Sequence, residues 1–473
     1  MGFIEKYKNM ALPVKAAFWF FVCSFFQNAI AIITTPVFTR IMTTEEYGEF
    51  SVFTSVLNIL AVFVTYEINS IITTKGISKY QEKENSFLAN ILFVSSCSTM
   101  IFFIIYICFS KTWTRLFGIS HPLMCLMFGN MLVMPAYEIW SAVHRYYYRY
   151  KKIAAFTISY IIISTGFSMV AVCLSEEKGY ARIVSFCLVN IVMYGCLYVL
   201  IYAKKPNFIN YSIIRYTLKF NAPIIFQGLS NQILARSDIF MIDKISGKTP
   251  AAIYSLGYSV GMMITILTTS VNNTFVPWLY QKLDKKDYEG IKKQTNKIIL
   301  GIMFCVSIIL FVTPEIITIF SPSEYKQASY VVAPVLVGVA FTMVYTLFVN
   351  IEIYLEKTTL VMIGSIFVAA LNIILNLTFI PIYGFIAAAY TTLVSYILYS
   401  FMHYMCLRCF CKKEVNLSAI YDIKSIAIIS LLQVVILLGV IQLYANVMIR
   451  YILLGIILSI FLLGYKLKKN CSR

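Results

Sequence analysis

Arg236 and Asp238 stand two positions apart inside an apolar stretch at 220–242, and Glu67 and Glu138 fall in similar stretches at 48–72 and 117–143. A charge at the centre of a membrane helix costs about 2.5–3.5 kcal/mol on insertion scales, so each of these groups is expected to face protein or water, not lipid. For Arg236 two readings stand. Its guanidinium offers a planar fork of donors suited to a phosphate or carboxylate group; alternatively it lies near the outer end of its helix and snorkels outward or pairs with Asp243. Two residues are roughly 200° apart on a helix, so Arg236 and Asp238 form no same-face pair and at least one needs a partner elsewhere. Asp238, Glu67 and Glu138 are candidates for proton or sodium coupling, with pairing to neighbouring basic loops as the structural alternative. Arg40, at the loop edge after the first stretch, is either a cavity-mouth cation or an interfacial anchor beside Glu45 and Glu46. Asn272 and Asn273, close to Pro277, need partners inside a span, and a sugar hydroxyl or a neighbouring helix would serve.

The elements that must carry these side chains are membrane helices. Hydrophobic residues make up 60% of the 473 positions and charged residues 13%, well below the roughly 25% of a soluble domain. Fourteen apolar stretches follow one another, at 12–35, 48–72, 87–110, 117–143, 153–174, 183–203, 220–242, 251–280, 298–320, 328–350, 358–380, 383–407, 424–445 and 448–466. Most can cross about 30 Å of hydrocarbon as helices. The second half echoes the first at an offset of 204: Thr39–Val56 aligns with Asp243–Val260, placing Ser51 on Ser255, Ser55 on Ser259 and Arg40 on Lys244. The predicted fold is therefore an all-α integral membrane protein with about fourteen transmembrane helices. It divides into six-helix lobes at 1–205 and 206–410 in the same orientation, and a last pair of helices with a tail at 411–473.

The net charge of +18 is a topology signal, because the cations gather in short loops and do not form a nucleic-acid surface. An inward N-terminus puts 29 Lys and Arg inside and nine outside, with Arg236 in the membrane; both termini are then cytoplasmic. The first stretch lacks a closing small-residue cleavage site and is expected to stay as a helix. Cysteines in apolar runs, Cys187 and Cys305 among them, read as packing groups, and Cys406, Cys409 and Cys411 lack the second ligand pair of a metal centre. No cofactor, metal or catalytic constellation is expected. His144 reads as a solvated loop residue, and His121 and His403 belong to no cluster. Pro314 and Pro381 read as helix terminators, and Gly257 and Gly261 as a close-packing face.

Two passages resemble a known family: PVFTRIMTTEEYGEFSVF at 36–53, and SNQILARSDIFMIDKISGKTPAAIYSLGYSVG with NNTFVPWLYQKL at 230–261 and 272–283. They are similar to Wzx-type polysaccharide flippases, in the superfamily that also holds toxic-compound exporters and lipid II flippases. The resemblance implies two lobes in a V around a central cavity. It implies alternating-access movement of an undecaprenyl-diphosphate-linked oligosaccharide from the cytoplasmic to the outer leaflet of the bacterial plasma membrane, for O-antigen, capsule or another surface polysaccharide. Expected partners are that lipid-linked oligosaccharide, membrane lipids, and the pathway's polymerase and glycosyltransferases. A cation-coupled multidrug exporter shares the fold and is the nearest alternative. A membrane polymerase or acyltransferase fits less well, since no outer loop exceeds about a dozen residues and none assembles an acid–base pair. A G-x-x-x-x-G-K-[ST] nucleotide loop is absent from the sequence, so ATP is not expected to drive the cycle directly.

Overall fold

Apolar runs that must satisfy their own backbone in lipid fold as helices, and the described residues contain helices and connecting turns without strands. The structure, a computed structural model, describes residues 34–204, 209–355, 357–411 and 416–470, with Lys15, Trp19, Val22 and Cys23 ahead of them. The stretch expected at 12–35 thus lies largely outside the described residues. Among the described residues ten helices are long and apolar enough to cross a membrane. The chain forms two compact units, Met1–Ala252 and Ile253–Arg473.

In the first unit, α1 (Thr44–Val64) starts in a capping box: the Thr43 hydroxyl accepts from the Glu46 amide, and the Glu46 carboxylate accepts from the Thr43 amide. Next come α2 (Ser70–Lys79), α3 (Glu84–Cys108), α4 (Ser110–Phe117), α5 (His121–Tyr146), α6 (Tyr150–Leu174), α7 (Lys178–Ala203) and the 36-residue α8 (Tyr211–Ser246). The stretch expected as one span at 48–72 is interrupted. Helix α1 ends at Val64, Tyr66 and Glu67 take left-handed φ values of 58° and 48°, and α2 restarts at Ser70 behind the Asn69 cap. Asn221 of α8 holds the break, donating to the carbonyls of both Tyr66 and Glu67 at 3.0 Å.

Helix α9 (Lys248–Gly261) leads into the second unit, and a 3-10 turn at Met262–Ile264 separates it from α10 (Thr265–Asp284), so the stretch at 251–280 is also broken. There follow α11 (Tyr288–Phe320), α12 (Ala328–Tyr354), α13 (Thr358–Tyr383), α14 (Ala387–Phe410), α15 (Ile423–Gln442) and α16 (Val447–Asn470). Helix α12 is apolar on every face and packs against α10, α11, α14 and α15, the pattern of a helix at the centre of its lobe. Gly257 and Gly261 lie flat on it: a Cβ at Gly257 would stand 2.8 Å from the Ala328 carbonyl and 2.7 Å from Val331. Close packing, as expected, is their role. Pro314 corrects an expectation, because α11 runs past it to Phe320; Pro381 sits two residues before the end of α13. In the turn ahead of α11, Lys282 beside Asp287 and the Gly290 amide hold the Asp287 carboxyl below its usual range.

The sequence offset survives in the folded chain. Helices α1 and α9 begin at Thr44 and Lys248, and α3 and α11 at Glu84 and Tyr288, so both pairs keep the 204-residue register. The last two helices of the second unit join its α11 through polar rungs. Asn296 meets Asp422 at 3.4 Å, Ser307 meets Gln433 at 3.0 Å, and Arg450 forms a two-pronged pair with Glu315 at 2.5 Å.

Candidate functional site

Helix α8 lies along α1 in the first unit, and the Ser55 hydroxyl donates to the Arg236 carbonyl, tying the two at mid-length. Around that point α8 presents two different faces. Ser237, Asp238 and Ile239 are buried, Asp238 to 1% exposure, whereas the Arg236 side chain is half-buried. This is the separation expected for residues two apart. Among the described residues the Arg236 guanidinium makes no hydrogen bond or ion pair. Pairing with Asp243 is therefore not formed. Asp243 instead lines a cavity of about 480 Å³ with Lys248, whose ammonium meets Glu49 at 2.5 Å.

Arg40 is exposed and donates to the Pro36 carbonyl at 2.8 Å, which fits an anchor at a helix end. The neighbouring Glu46 carboxylate is occupied by its capping box and by the Lys178 amide at 3.1 Å. Glu67 sits in the break after α1. Asn69 donates to it at 3.4 Å, and Gly228 of α8 makes room for it, since a Cβ there would stand 2.8 Å from the carboxyl carbon. Glu138 is exposed on α5, within electrostatic reach of Glu67 and Arg145. In the second unit Asn272 accepts from the Asn350 side chain at 3.0 Å, the neighbouring-helix partner, while Asn273 is exposed. Within the first unit, then, Glu67 and Glu138 come within electrostatic reach of one another.

Several charged groups escaped the reading of the sequence. Glu352 and His403 pair with both side chains at 0% exposure. Arg450, 1% exposed, pairs with Glu315. Arg182 is buried between the rings of Phe38 and Phe50, each 4.0 Å from its guanidinium carbon. His144, expected in solvent, is buried and bonded through Nδ1 to the Trp140 carbonyl at 2.8 Å. Arg182 and Arg450, two of the nine cations that the sequence places outside, are both enclosed by protein.

The described chain is thus a long-helix fold in two units with ionisable groups buried inside its helices, and comparison with known proteins gives its family. Residues 14–283 match the polysaccharide biosynthesis protein family, to which the chain belongs. Residues 223–378 also match the MatE family. The structure is similar to the lipid II flippase MurJ in an inward closed conformation, with a TM-score of 0.72 at 17% identity over 96% of this chain and 99% of that one. It is also similar to an inward-facing multidrug resistance MATE transporter of the MOP superfamily, with a TM-score of 0.61 at 12% identity over 82% and 96%. At these identities the likeness shows the fold. An Lsg locus protein of Haemophilus influenzae is 25% identical over 190 residues, 38% of this chain; the match spans about half, 47%, of that relative's length.

Proposed function

We propose that the protein flips an undecaprenyl-diphosphate-linked oligosaccharide from the cytoplasmic to the outer leaflet of a bacterial plasma membrane, without being an enzyme. One observation carries this reading: in a member of the polysaccharide biosynthesis family, the half-buried guanidinium of Arg236 on the long helix α8 makes no hydrogen bond or ion pair among the described residues. Such a group is costly to maintain unless it meets an anion during the cycle, and a diphosphate matches its fork. Arg40, Asn272 and Asn273 serve in this proposal as secondary contacts for diphosphate and sugar. Asp238, Glu67 and Glu138 serve as candidates for ion coupling. The division at 205 and 410, the destination in O-antigen or capsule synthesis, and partnership with a polymerase and glycosyltransferases belong to the same proposal.

Cells lacking the protein should accumulate the lipid-linked unit in the inner leaflet and lose the surface polysaccharide. Purified protein in vesicles should expose that lipid to an external sugar-oxidising reagent. Normal polysaccharide in the deletion strain would sink the reading. Extrusion of cationic dyes by the same vesicles, with no movement of lipid-linked sugar, would turn it toward the multidrug exporters whose fold it shares.

The proposed topology has both termini in the cytoplasm. Reporter fusions at Lys83, Lys151 and Lys293 should read as cytoplasmic, and fusions at Lys178 and Lys248 as external. Two fusions on the wrong side would overturn that orientation.

A further inference from the structure

The Glu352–His403 pair has no task in the reading above, and its chemistry points to one. Glu352 lies near the end of α12 and His403 within α14; both Glu352 oxygens stand 2.8–2.9 Å from His403 Nδ1. The surroundings are aromatic: the Tyr399 ring is 4.6 Å from the imidazole and the Tyr345 ring 6.3 Å. The titratable groups facing the pair are Tyr345 on α12 and Tyr399 and Cys406 on α14. Helix α13 contributes Gly364 and Ser365, neither of which titrates, and Ser365 bonds Tyr399 at 2.9 Å.

A lock between these helices requires no ionisable groups. Neutral contacts already join them: Ser365 to Tyr399, Asn372 to Thr392 at 3.3 Å, and Ser400 to the Phe341 carbonyl at 3.4 Å. The pair is, moreover, incompletely bonded, because among the described residues the buried His403 Nε2 has no hydrogen-bond partner. It points toward α13 at Gly364, where a Cβ would stand 2.9 Å from it. Buried polar groups are nearly always bonded, so an exception calls for a cause.

Counting protons supplies one. With neither group carrying an acidic proton, Nδ1–H donates to a bare carboxylate and the site holds a buried net negative charge. With both protonated it holds a buried positive charge. The form that suits a sealed apolar site carries one added proton and no net charge, as imidazolium–carboxylate or imidazole–carboxylic acid. In either arrangement Nε2 keeps a hydrogen with no acceptor. Parting of the helices would let water accept from Nε2–H and take the proton away, leaving a carboxylate that water then solvates. Proton occupancy and helix separation are therefore linked, and by reciprocity each biases the other.

We propose that Glu352 and His403 form a proton-exchange site of the transport cycle, which holds one proton while α12, α13 and α14 are closed around it and releases it to water when they part. This rests on the transport reading, and in the proposed topology the exchange opens toward the cytoplasmic ends of these helices.

The chain has three histidines, so histidine-labelled full-length protein in phospholipid nanodiscs gives a spectrum readable by nuclear magnetic resonance. The His403 signals should change with pH, and Glu352→Gln should alter that response without moving the signals of His121 or His144. Wild-type His403 signals indifferent to pH would overturn the proposal, whether or not the variants fold. In vesicles, flipping of a polyprenyl-diphosphate trisaccharide should accelerate several-fold under an imposed pH gradient, and Glu352→Gln and His403→Gln should flatten that response. A gradient response kept by Glu352→Gln would make the pair structural. Titration of His403 in protein that moves no lipid-linked sugar would set aside the substrate and leave the proton site standing.

Discussion

Arg236→Ala is expected to abolish flipping while leaving the protein at its normal level in the membrane. The two halves of that expectation come from separate features. Stability is spared because what α8 contributes to α1 at this point is the Arg236 carbonyl, bonded by Ser55, and a backbone group survives the substitution. The guanidinium itself binds nothing in the described chain, so its loss orphans no partner. In the proposed role activity is lost because a fork that meets a diphosphate in a partly desolvated site is worth about 2–5 kcal/mol when truncated, about thirtyfold to a few thousandfold in rate or affinity. Arg236→Lys should recover part of the activity, since the ammonium restores charge without the planar two-pronged geometry. Quantitative immunoblotting beside a flipping assay separates the two effects. Full complementation by the alanine variant would return Arg236 to a residue that merely reaches for the membrane surface.

Hydropathy made most of the helices legible, and the repeat made their register legible, because both depend on side chains close together in sequence or on a fixed offset. The starts of α1 and α9, and of α3 and α11, keep the 204-residue spacing read from a handful of identities. Contacts between distant helices were hidden. Glu352 and His403 are 51 positions apart; α12 runs four residues beyond its expected end at 350, and nothing around His403 names its partner. The break at 65–69 was invisible for a related reason. The segment TYEIN carries no proline or glycine, and the left-handed turn at Tyr66 and Glu67 is held by Asn221, more than 150 residues away. A tertiary hydrogen bond decides the backbone there, against the local helical preference.

The buried arginines show the limit of counting charges by loop. Arg182 and Arg450 each fall at the start of an apolar run, where the positive-inside rule treats a cation as facing water. Arg182 instead lies against Phe38 and Phe50, and Arg450 against Glu315. In the proposed topology, removing both leaves seven outer cations against 29 inner ones, a wider asymmetry.

Gly48→Ala should remove most of the folded protein from the membrane, a larger effect than loss of the ion pair beside it. Gly48 closes the EEYG element of the first family-like passage, and α1 meets the start of α9 at this glycine. A Cβ on residue 48 would stand 2.3 Å from the Lys248 carbonyl oxygen and 3.0 Å from its carbon. The obstacle is backbone, which cannot swing aside as a flexible side chain would. Relief requires displacing the start of α9 or the first turn of α1, which is fixed by its capping box at Thr43 and Glu46 and held on α7 by the bond that the Lys178 amide donates to Glu46. Overpacking of this kind costs about 1–3 kcal/mol, and more where the neighbour is main chain. The adjacent Glu49–Lys248 pair is about one-third exposed on both sides, so Glu49→Gln should cost less than about 1 kcal/mol. Fluorescence-detected size exclusion of the two variants in the same detergent provides the comparison. A Gly48→Ala protein as abundant and as heat-resistant as wild type would show that α1 and α9 do not meet this closely, and the EEYG glycine would need another explanation.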